Sequence, residues 1–113
     1  MASDDVAHEF CQVMTTCSAR ADAEALGRSA VEARLAPCAQ VEGPITSTFW
    51  WDSAVQVEEE WRVVFKTPTD RYPALAQHIL DHHAYDVPEI ISLPILAGTA
   101  DYLDWMRAET RAG

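Results

Sequence analysis

Basic residues are scarce in this chain of 113 residues. Its 8 lysines and arginines stand against 18 aspartates and glutamates, and the net charge of -10 opposes binding to nucleic acid or to an anionic membrane surface. Apolar runs are short as well, because nothing approaches the roughly 18 consecutive apolar residues of a membrane span. We therefore expect no nucleic acid and no membrane among its partners, whereas cations are better tolerated.

Cysteines, secretion signals and catalytic motifs are also few or missing. The three cysteines, an odd number without framework spacing, indicate free thiols in a reducing cytoplasm. The first ten residues have no basic start followed by an apolar run, which predicts that there is no signal peptide. No nucleophile elbow, phosphate loop or zinc-protease motif occurs, so an enzyme is the least supported class of function.

The periodicity of the apolar residues predicts a single α+β domain over 1–113, with a polar tail at 1–8. Predicted strands lie at 10–16, 38–42, 45–51, 55–66 and 89–96, and predicted helices lie at 21–35, from about 71 to 83, and after Thr99. The first helix has a candidate N-cap at Ser18 and ends before Pro37, and its Ala23, Leu26, Ala30 and Ala33 form a narrow face of small residues that can pack closely on a sheet. Gly43-Pro44 interrupts the second strand, and a turn at Asp52-Ser53 joins two arms of a hairpin. Pro94 argues for an edge or a bulge in the last strand. The order β-α-β-β-α-β plus a final helix is the ferredoxin-like arrangement.

Alternation along 55–66 predicts a strand with one dry face and one wet face. The dry face carries Val57, Trp61, Val63 and Phe65, and the wet face carries Glu58, Glu60, Arg62 and Lys66. The run 58–60 is expected to be solvated, with one inward member. The four tryptophans lie at positions 50, 51, 61 and 105. The core of a small subunit absorbs one or two of them, and we expect the others at a subunit interface.

Potential ligands and proton carriers concentrate between His82 and Glu89, where the second predicted helix ends. Pro88 disfavours helical geometry in the preceding residue, so this segment is a helix-to-strand junction, a common location for functional sites. His83 is interpreted either as a functional residue or as a cap of the last helical carbonyls. Neighbouring helical residues point about 100° apart, so His82 and His83 reach one ion only if the helix ends between them.

The other candidate ligands also have structural alternatives. His78 and His82 form an i,i+4 pair that suits either metal chelation or a solvated helix face. Cys17 is a soft ligand for Cu(I) if it is exposed, and otherwise a small buried hydrophobic residue. Cys11 and Cys38 are expected in the core.

Several short stretches, taken together, match one known family. They are Thr16-Cys17-Ser18, residues 33–38, Phe49-Trp50-Trp51, Phe65-Lys66-Thr67, residues 83–91 and residues 101–105. By their order and spacing, the chain resembles the CutA-type divalent-cation tolerance proteins from about Phe10 to Arg107. It departs from the pattern at Ala84, where members usually have proline, and at Asp52-Ser53-Ala54, where they usually have Glu-Gly-Lys. The missing proline relaxes the backbone after His83.

The resemblance implies a ferredoxin-like subunit within a tight homotrimer, similar in architecture to the PII signalling proteins. It also implies binding of copper or another divalent metal ion. The family's metal ligands fall here on Cys17, His82 and His83. We therefore expect a cytoplasmic homotrimer that takes part in metal tolerance.

Two other functions stay open. The first is a sensor or scaffold that binds a small anionic molecule in a cleft between subunits. That cleft would be lined by Lys66, Arg62, Tyr85 and Trp51. The second is an enzyme in the same cleft, with proton transfer by His83, Tyr85 or Asp86 and with Lys66 stabilising negative charge.

Overall fold

The computed structural model describes residues 9–111, so the predicted polar tail at 1–8 lies outside the described residues. The elements are β1 (Phe10–Cys17), α1 (Arg20–Glu32), β2 (Cys38–Trp51), β3 (Ala54–Pro68), a 3-10 turn (Thr69–Arg71), α2 (Tyr72–His82), β4 (Ile91–Pro94) and α3 (Ala100–Arg111). Their order confirms the predicted α+β, ferredoxin-like arrangement. Within this part of the chain, no helix is both long and apolar enough to cross a membrane.

The sheet has the strand order β2-β3-β1-β4, and every neighbouring pair is antiparallel. α1 and α2 each connect two strands that lie on either side of a third strand, which is the split βαβ pattern on which the prediction was based. β1 is therefore a central strand, but β4 pairs only with its residues 11–14, so the end at Cys17 is paired with β3 alone. A site built on that end has one neighbouring strand and one open side.

The two faces of the sheet are covered by different helices. α1 and α2 pack on the face that carries Val13 and Phe65, and they form the main core with them. Phe10 points to the opposite face because it differs in parity from Cys11, and there it packs against Leu103 and Met106 of α3. Since α3 covers only the beginning of β1, the far end of that second face is left for other contacts.

The narrow small-residue face predicted for the first helix is confirmed except at Ala33, which is the C-cap and is exposed. Ala23, Leu26, Gly27 and Ala30 are all buried. A Cβ atom added at Gly27 would stand 3.2 Å from the Cβ of Ala39, so the absence of a side chain allows the helix to lie close to β2. This close packing holds the middle of α1 against the start of β2.

Both predicted ends of α1 were wrong. The N-cap is Ala19, which makes no side-chain capping bond, rather than Ser18. At the other end the helix stops at Glu32 because Arg34 adopts a left-handed φ of 62°. The amides of Arg34 and Leu35 donate to the carbonyls of Val31 and Ala30, which is a Schellman ending. Such an ending usually has glycine at the left-handed position. Because arginine occupies that position here, the sequence gave no sign that the helix ends there.

β2 and β3 form one long ribbon instead of the interrupted strand that was predicted. β2 runs through Gly43-Pro44, and a register shift between Glu42 and Ile45 absorbs the irregularity as a bulge. Asp52 and Ser53 both have positive φ, at 55° and 64°, as a two-residue type I′ turn requires. The ribbon gives the molecule an extent of 47 Å and a radius of gyration of 15.0 Å, whereas a compact chain of this length has about 13 Å.

The predicted alternation of buried and exposed residues along β3 is found only in the second half of the strand. Val63 and Phe65 are buried and Trp61 packs against the core, but Val57 is 62% exposed because the ribbon has left the body of the molecule there. On the other face Glu60 is only 7% exposed. It is the one inward member expected within the run 58–60, and it was wrongly placed on the wet face.

The edge position predicted from Pro94 is confirmed, because β4 pairs with β1 alone and leaves its other side open. The strand is shorter than predicted and spans only Ile91–Pro94. Cys11 is buried as expected, whereas Cys38 is only partly buried. Trp50 and Trp51 are exposed on the tip of the ribbon.

A methyl group added at the bulge should destabilise the fold. Gly43 has a φ of 151°, and a Cβ atom there would stand 2.6 Å from Cδ1 of Trp61. We expect Gly43→Ala to lower the free energy of unfolding by about 1–3 kcal/mol, because the indole cannot move without losing its core contacts. Urea unfolding at one protein concentration measures this. The control Thr46→Ala, on the same strand and exposed, should change it by less than about 0.5 kcal/mol, and equal values for the two variants would contradict the prediction.

Candidate functional site

Two grooves meet where α2 ends. The first, of about 440 Å³, lies between the start of α1 and the end of α2, and its walls include Cys17, His82 and His83. The second, of about 670 Å³, lies between the β2–β3 ribbon and the loop that follows α2. Tyr85 lines both. The junction that the sequence singled out therefore forms the wall between two concave surfaces.

His83 is fixed by hydrogen bonds on both ring nitrogens. α2 ends at His82, and His83 is extended, with φ -90° and ψ 143°. Its ring reaches back to β1, where Nε2 lies 2.7 Å from the carbonyl oxygen of Thr16. The amide of Tyr85 donates to Nδ1 over 3.1 Å. A carbonyl accepts and an amide donates, so the ring is held with the proton on Nε2 and the lone pair on Nδ1.

His82, and not His83, makes the hydrogen bond of a helix-capping histidine. Nδ1 of His82 bonds the carbonyl of His78 over 2.8 Å, one turn earlier. The rings of His78 and His82 stack with their centroids 4.2 Å apart. Nε2 of His78 lies 2.8 Å from the hydroxyl of Ser29, and burial, with a further contribution from His82, lowers the pKa of His78. The i,i+4 pair is thus stacked and hydrogen-bonded to other groups.

Cys17 lies beside His83, as the metal hypothesis requires. Its Sγ is 4.0 Å from Nε2 of His83, although 66 residues separate the two in sequence. The thiol is 5% exposed. Burial raises the pKa of Cys17 to about 11, and the nearby carboxylates of Asp22 and Glu60 contribute in the same direction. At neutral pH the sulfur therefore carries its proton and is a poor nucleophile and a poor metal ligand.

A buried hydrogen bond joins the loop to the sheet on the other side of this wall. The hydroxyl of Tyr85 donates to Oε2 of Glu60 over 2.6 Å. Burial, followed by this bond and the charge of Glu60, raises the pKa of Tyr85. The phenol ring also lies against the imidazole of His83, with centroids 4.6 Å apart. Tyr85 is thus a rigid part of the wall that stays protonated.

The predicted cleft residues separate into two groups within one chain. Tyr85 and Trp51 both line the second groove. Arg62 instead bonds Glu42 over 2.8 Å, and Lys66 bonds Gln40 over 2.6 Å. Neither basic residue lines either groove. Within residues 9–111 of a single chain, no lysine or arginine faces Tyr85 in the second groove.

Some residues of the site were missed by the sequence analysis. Glu60 is the main one, and alternation gave no clue to it, because the pattern of Val57 and Trp61 assigns Glu59 rather than Glu60 to the inner face. Asp22 and Ser29 of α1 line the first groove. They gave no clue, because their contact with the end of α2 depends on how the two helices pack.

The donor set for a metal ion is small. Across the residues that the structure describes, no group of three or more His, Cys, Asp and Glu side chains is arranged to hold a metal ion. One chain therefore offers Cys17 and His83 as a two-ligand pair. A tetrahedral zinc site, which needs four ligands, is not present within residues 9–111 of one chain.

Comparison with known proteins identifies relatives along nearly the whole chain. Residues 11–109 match the family model of the CutA1 divalent ion tolerance protein. The divalent-cation tolerance protein CutA of Thermus thermophilus is 36% identical, over 87% of this chain and 95% of that protein. The chloroplastic CutA 1 protein of Oryza sativa is 38% identical over 76% of this chain, which spans only 49% of that longer relative.

Solved structures agree with the sequence comparison. The crystal structure of CutA1 from Oryza sativa superposes with a TM-score of 0.89 at 32% identity, over 96% of this chain and 99% of that one. CutA from Synechococcus elongatus, in complex with a Bis-Tris molecule, superposes with a TM-score of 0.84 at 34% identity, over 90% and 94% of the two chains.

Removal of the Tyr85 hydroxyl should destabilise the protein. In Tyr85→Phe the carboxylate of Glu60 stays buried but loses its donor, which should cost about 1–3 kcal/mol of unfolding free energy. Tyr72→Phe is the matched control, since the hydroxyl of Tyr72 makes no hydrogen bond within residues 9–111. Chemical denaturation at one protein concentration compares the two. If both variants were as stable as the native chain, the Tyr85–Glu60 bond would contribute nothing.

Proposed function

The chain belongs to the CutA1 divalent ion tolerance family, and on that premise we propose that it is a cytoplasmic homotrimer that binds copper through Cys17 and His83. One observation carries the proposal, the 4.0 Å between Sγ of Cys17 and Nε2 of His83. A metal ion about 2.3 Å from a thiolate and about 2.0 Å from an imidazole separates those atoms by about 3.5–4.3 Å, depending on the angle at the metal. The pair therefore has the spacing of a chelate.

The chemistry of the pair selects the metal. A thiolate is a soft ligand that favours Cu(I), and Cu(I) accepts two ligands where zinc requires more. His82 lines the same groove and becomes a third ligand if the last turn of α2 opens. Copper is thus the metal ion that two ligands from one chain suit best.

Metal binding at this pair is coupled to proton movements. The thiol must lose its proton, and Nε2 of His83 must give up the proton that it donates to Thr16. The proton can move to Nδ1 only if the amide of Tyr85 leaves. Binding therefore competes with the hydrogen bonds that fix the site, and it strengthens as the pH rises.

The homotrimer is supported by the apolar surface that one chain leaves exposed. Trp50 is 74% exposed, and its apolar neighbours on the ribbon are 38% to 62% exposed. The exposed apolar residues of the ribbon are Phe49, Trp50, Trp51, Val55 and Val57. Ile91 and Leu93 on the open edge of β4 add to them. Large contiguous apolar surfaces mark subunit interfaces, and aromatic residues dominate the contact energy there.

The cytoplasmic location is supported by the cysteines. Cys11, Cys17 and Cys38 are all free thiols. A reducing compartment keeps them so. The rice relative is chloroplastic by name, so the proposed location rests on these cysteines and not on the relatives.

A small-molecule ligand in the cleft between subunits is the second candidate function. The observation that favours it is the groove of about 670 Å³ that Trp51 and Tyr85 line, a size that suits a small ligand. The complex of the Synechococcus relative with Bis-Tris shows that a CutA protein can hold a small organic molecule. The anionic ligand expected from Lys66 and Arg62 stays a prediction, because a neighbouring subunit must bring those cations to Tyr85.

The assembly is tested by mass. Light scattering at low micromolar concentration should give three times the 12.5 kDa of one chain. Trp50→Glu should reduce the mass, because a charge on the apolar ribbon cannot be buried against a neighbour without a large cost. Leu80→Glu is the matched control, since Leu80 is an exposed apolar residue on α2, away from the ribbon. A native mass of one chain, or an intact trimer in Trp50→Glu, would contradict the proposed assembly.

The metal site is tested by anaerobic calorimetric titration with Cu(I). Cys17→Ser and His83→Gln should each weaken binding by about tenfold or more, while His78→Gln, within α2, should bind as the native chain does. Because the thiol has a pKa of about 11, each bound ion releases its proton, and affinity should rise about tenfold per pH unit between pH 7 and 9. Equal affinity in all four proteins would exclude these ligands.

A further inference from the structure

The second groove differs from the metal pair in chemistry as well as in place. It lies between the ribbon and residues 84–89, and its lining includes four carboxylates, of Glu58, Glu60, Asp86 and Glu89. Within residues 9–111, no lysine, arginine or histidine belongs to that lining. Together with a chain charge of -10, this composition gives the groove a negative potential that attracts cations and repels anions.

The spread of these carboxylates argues against an inorganic ion. A metal ion needs its ligands within about 2.0–2.6 Å of one point. No three His, Cys, Asp and Glu side chains within residues 9–111 converge in that way. Carboxylates that are distributed around a groove of about 670 Å³ instead match a larger cation, whose charge is spread over a small organic framework.

Aromatic residues complete the lining. Phe49 and Trp51 come from the ribbon, and Tyr85 comes from the loop after α2. Aromatic faces attract ammonium groups through the ring quadrupole, and this attraction is used in sites that bind quaternary ammonium ligands. An anion would gain nothing from these faces. Aromatic and acidic groups therefore favour the same class of ligand.

Glu60 supplies a preformed anchor in this groove. The residue is 7% exposed, and Tyr85 holds its Oε2 at 2.6 Å. Within residues 9–111, its second oxygen forms no hydrogen bond and is left to accept one from a ligand. A carboxylate that is buried and oriented before binding loses little conformational entropy when an ammonium group arrives. Glu58 lies two residues away on the same strand face and adds a second charge at the exposed rim.

We propose that the groove between the β2–β3 ribbon and residues 84–89 binds a small organic cation, an amine or quaternary ammonium compound, which Glu58 and Glu60 neutralise and Phe49 and Tyr85 flank. The proposal rests on the cleft binding described above, and it names the ligand class of that cleft. Since Phe49 and Trp51 also belong to the apolar ribbon, a neighbouring subunit closes one side of the site.

The experiment is calorimetric titration of the native protein at low salt with choline chloride and with 1,4-diaminobutane. At least one should bind saturably, with a Kd of about 1 mM or tighter, and binding should weaken with added NaCl. Glu58→Gln should weaken it about tenfold, as the loss of one charge-assisted contact predicts. Glu59→Gln is the matched control, because Glu59 is exposed on the same strand but lies outside the groove. It should bind as the native chain does.

Three results would overturn the proposal. They are no saturable binding of either amine, tighter binding of succinate than of the amines, and displacement of choline by equimolar calcium chloride. Equal binding by Glu58→Gln and Glu59→Gln would also remove Glu58 from the site. The titration is repeated with Cys17→Ser, and the mass of every variant is measured. Amine binding that persists in Cys17→Ser while Cu(I) binding is lost separates the two sites, and a trimer that binds Cu(I) but no amine refutes this inference alone.

Discussion

The hydrogen bond between the imidazole of His83 and the carbonyl of Thr16 is the contact on which the site depends. It joins the end of α2 to the end of the central strand, although the two residues are 67 positions apart. Nδ1 of the same ring accepts the amide of Tyr85 and so fixes the start of the loop. That position brings the Tyr85 hydroxyl to Glu60. One neutral imidazole thus aligns the wall of both grooves.

The hydrogen bonds that hold this site together use the same atoms that a bound metal ion would need. His83 donates from Nε2 and accepts at Nδ1, so both nitrogens are already used. Burial next to Asp22 and Glu60 keeps the Cys17 thiol protonated. Copper that binds here must displace two protons and break a hydrogen bond that holds the loop, so metal occupancy would loosen Tyr85. If copper binds at this pair, the metal pair and the second groove are coupled through one tyrosine.

The distribution of charge divides the ribbon into two regions. Near the body of the molecule, Arg62 and Lys66 are engaged with Glu42 and Gln40. Farther along, near the tip, aromatic residues and carboxylates occur without basic partners in the groove. The apolar tip needs a neighbour to cover it, whereas the acidic groove beside it attracts positive charge. Assembly and ligand binding would then use adjacent parts of the same element.

Sequence alone determined the elements, their order and the class of fold. Burial imposes a period of two residues on strands and of about 3.6 residues on helices, and each period can be recognised within a short stretch of sequence. The small-residue face of α1 and the edge position of Pro94 followed from the same physics. The prediction from short stretches of sequence failed where the backbone is irregular. Examples are the left-handed conformation of Arg34, which ends α1, and the bulge that carries β2 through Gly43-Pro44.

The site divides in the same way. Residue types and the resemblance selected Cys17, His83 and Tyr85, since helix ends and strand ends concentrate function. Only the tertiary structure decided that Cys17 meets His83, that Tyr85 meets the buried Glu60, and that Lys66 and Arg62 face neither groove. These contacts join residues 25 to 66 positions apart. They depend on sheet register and on the direction in which the chain leaves α2, and no local pattern of residues encodes either.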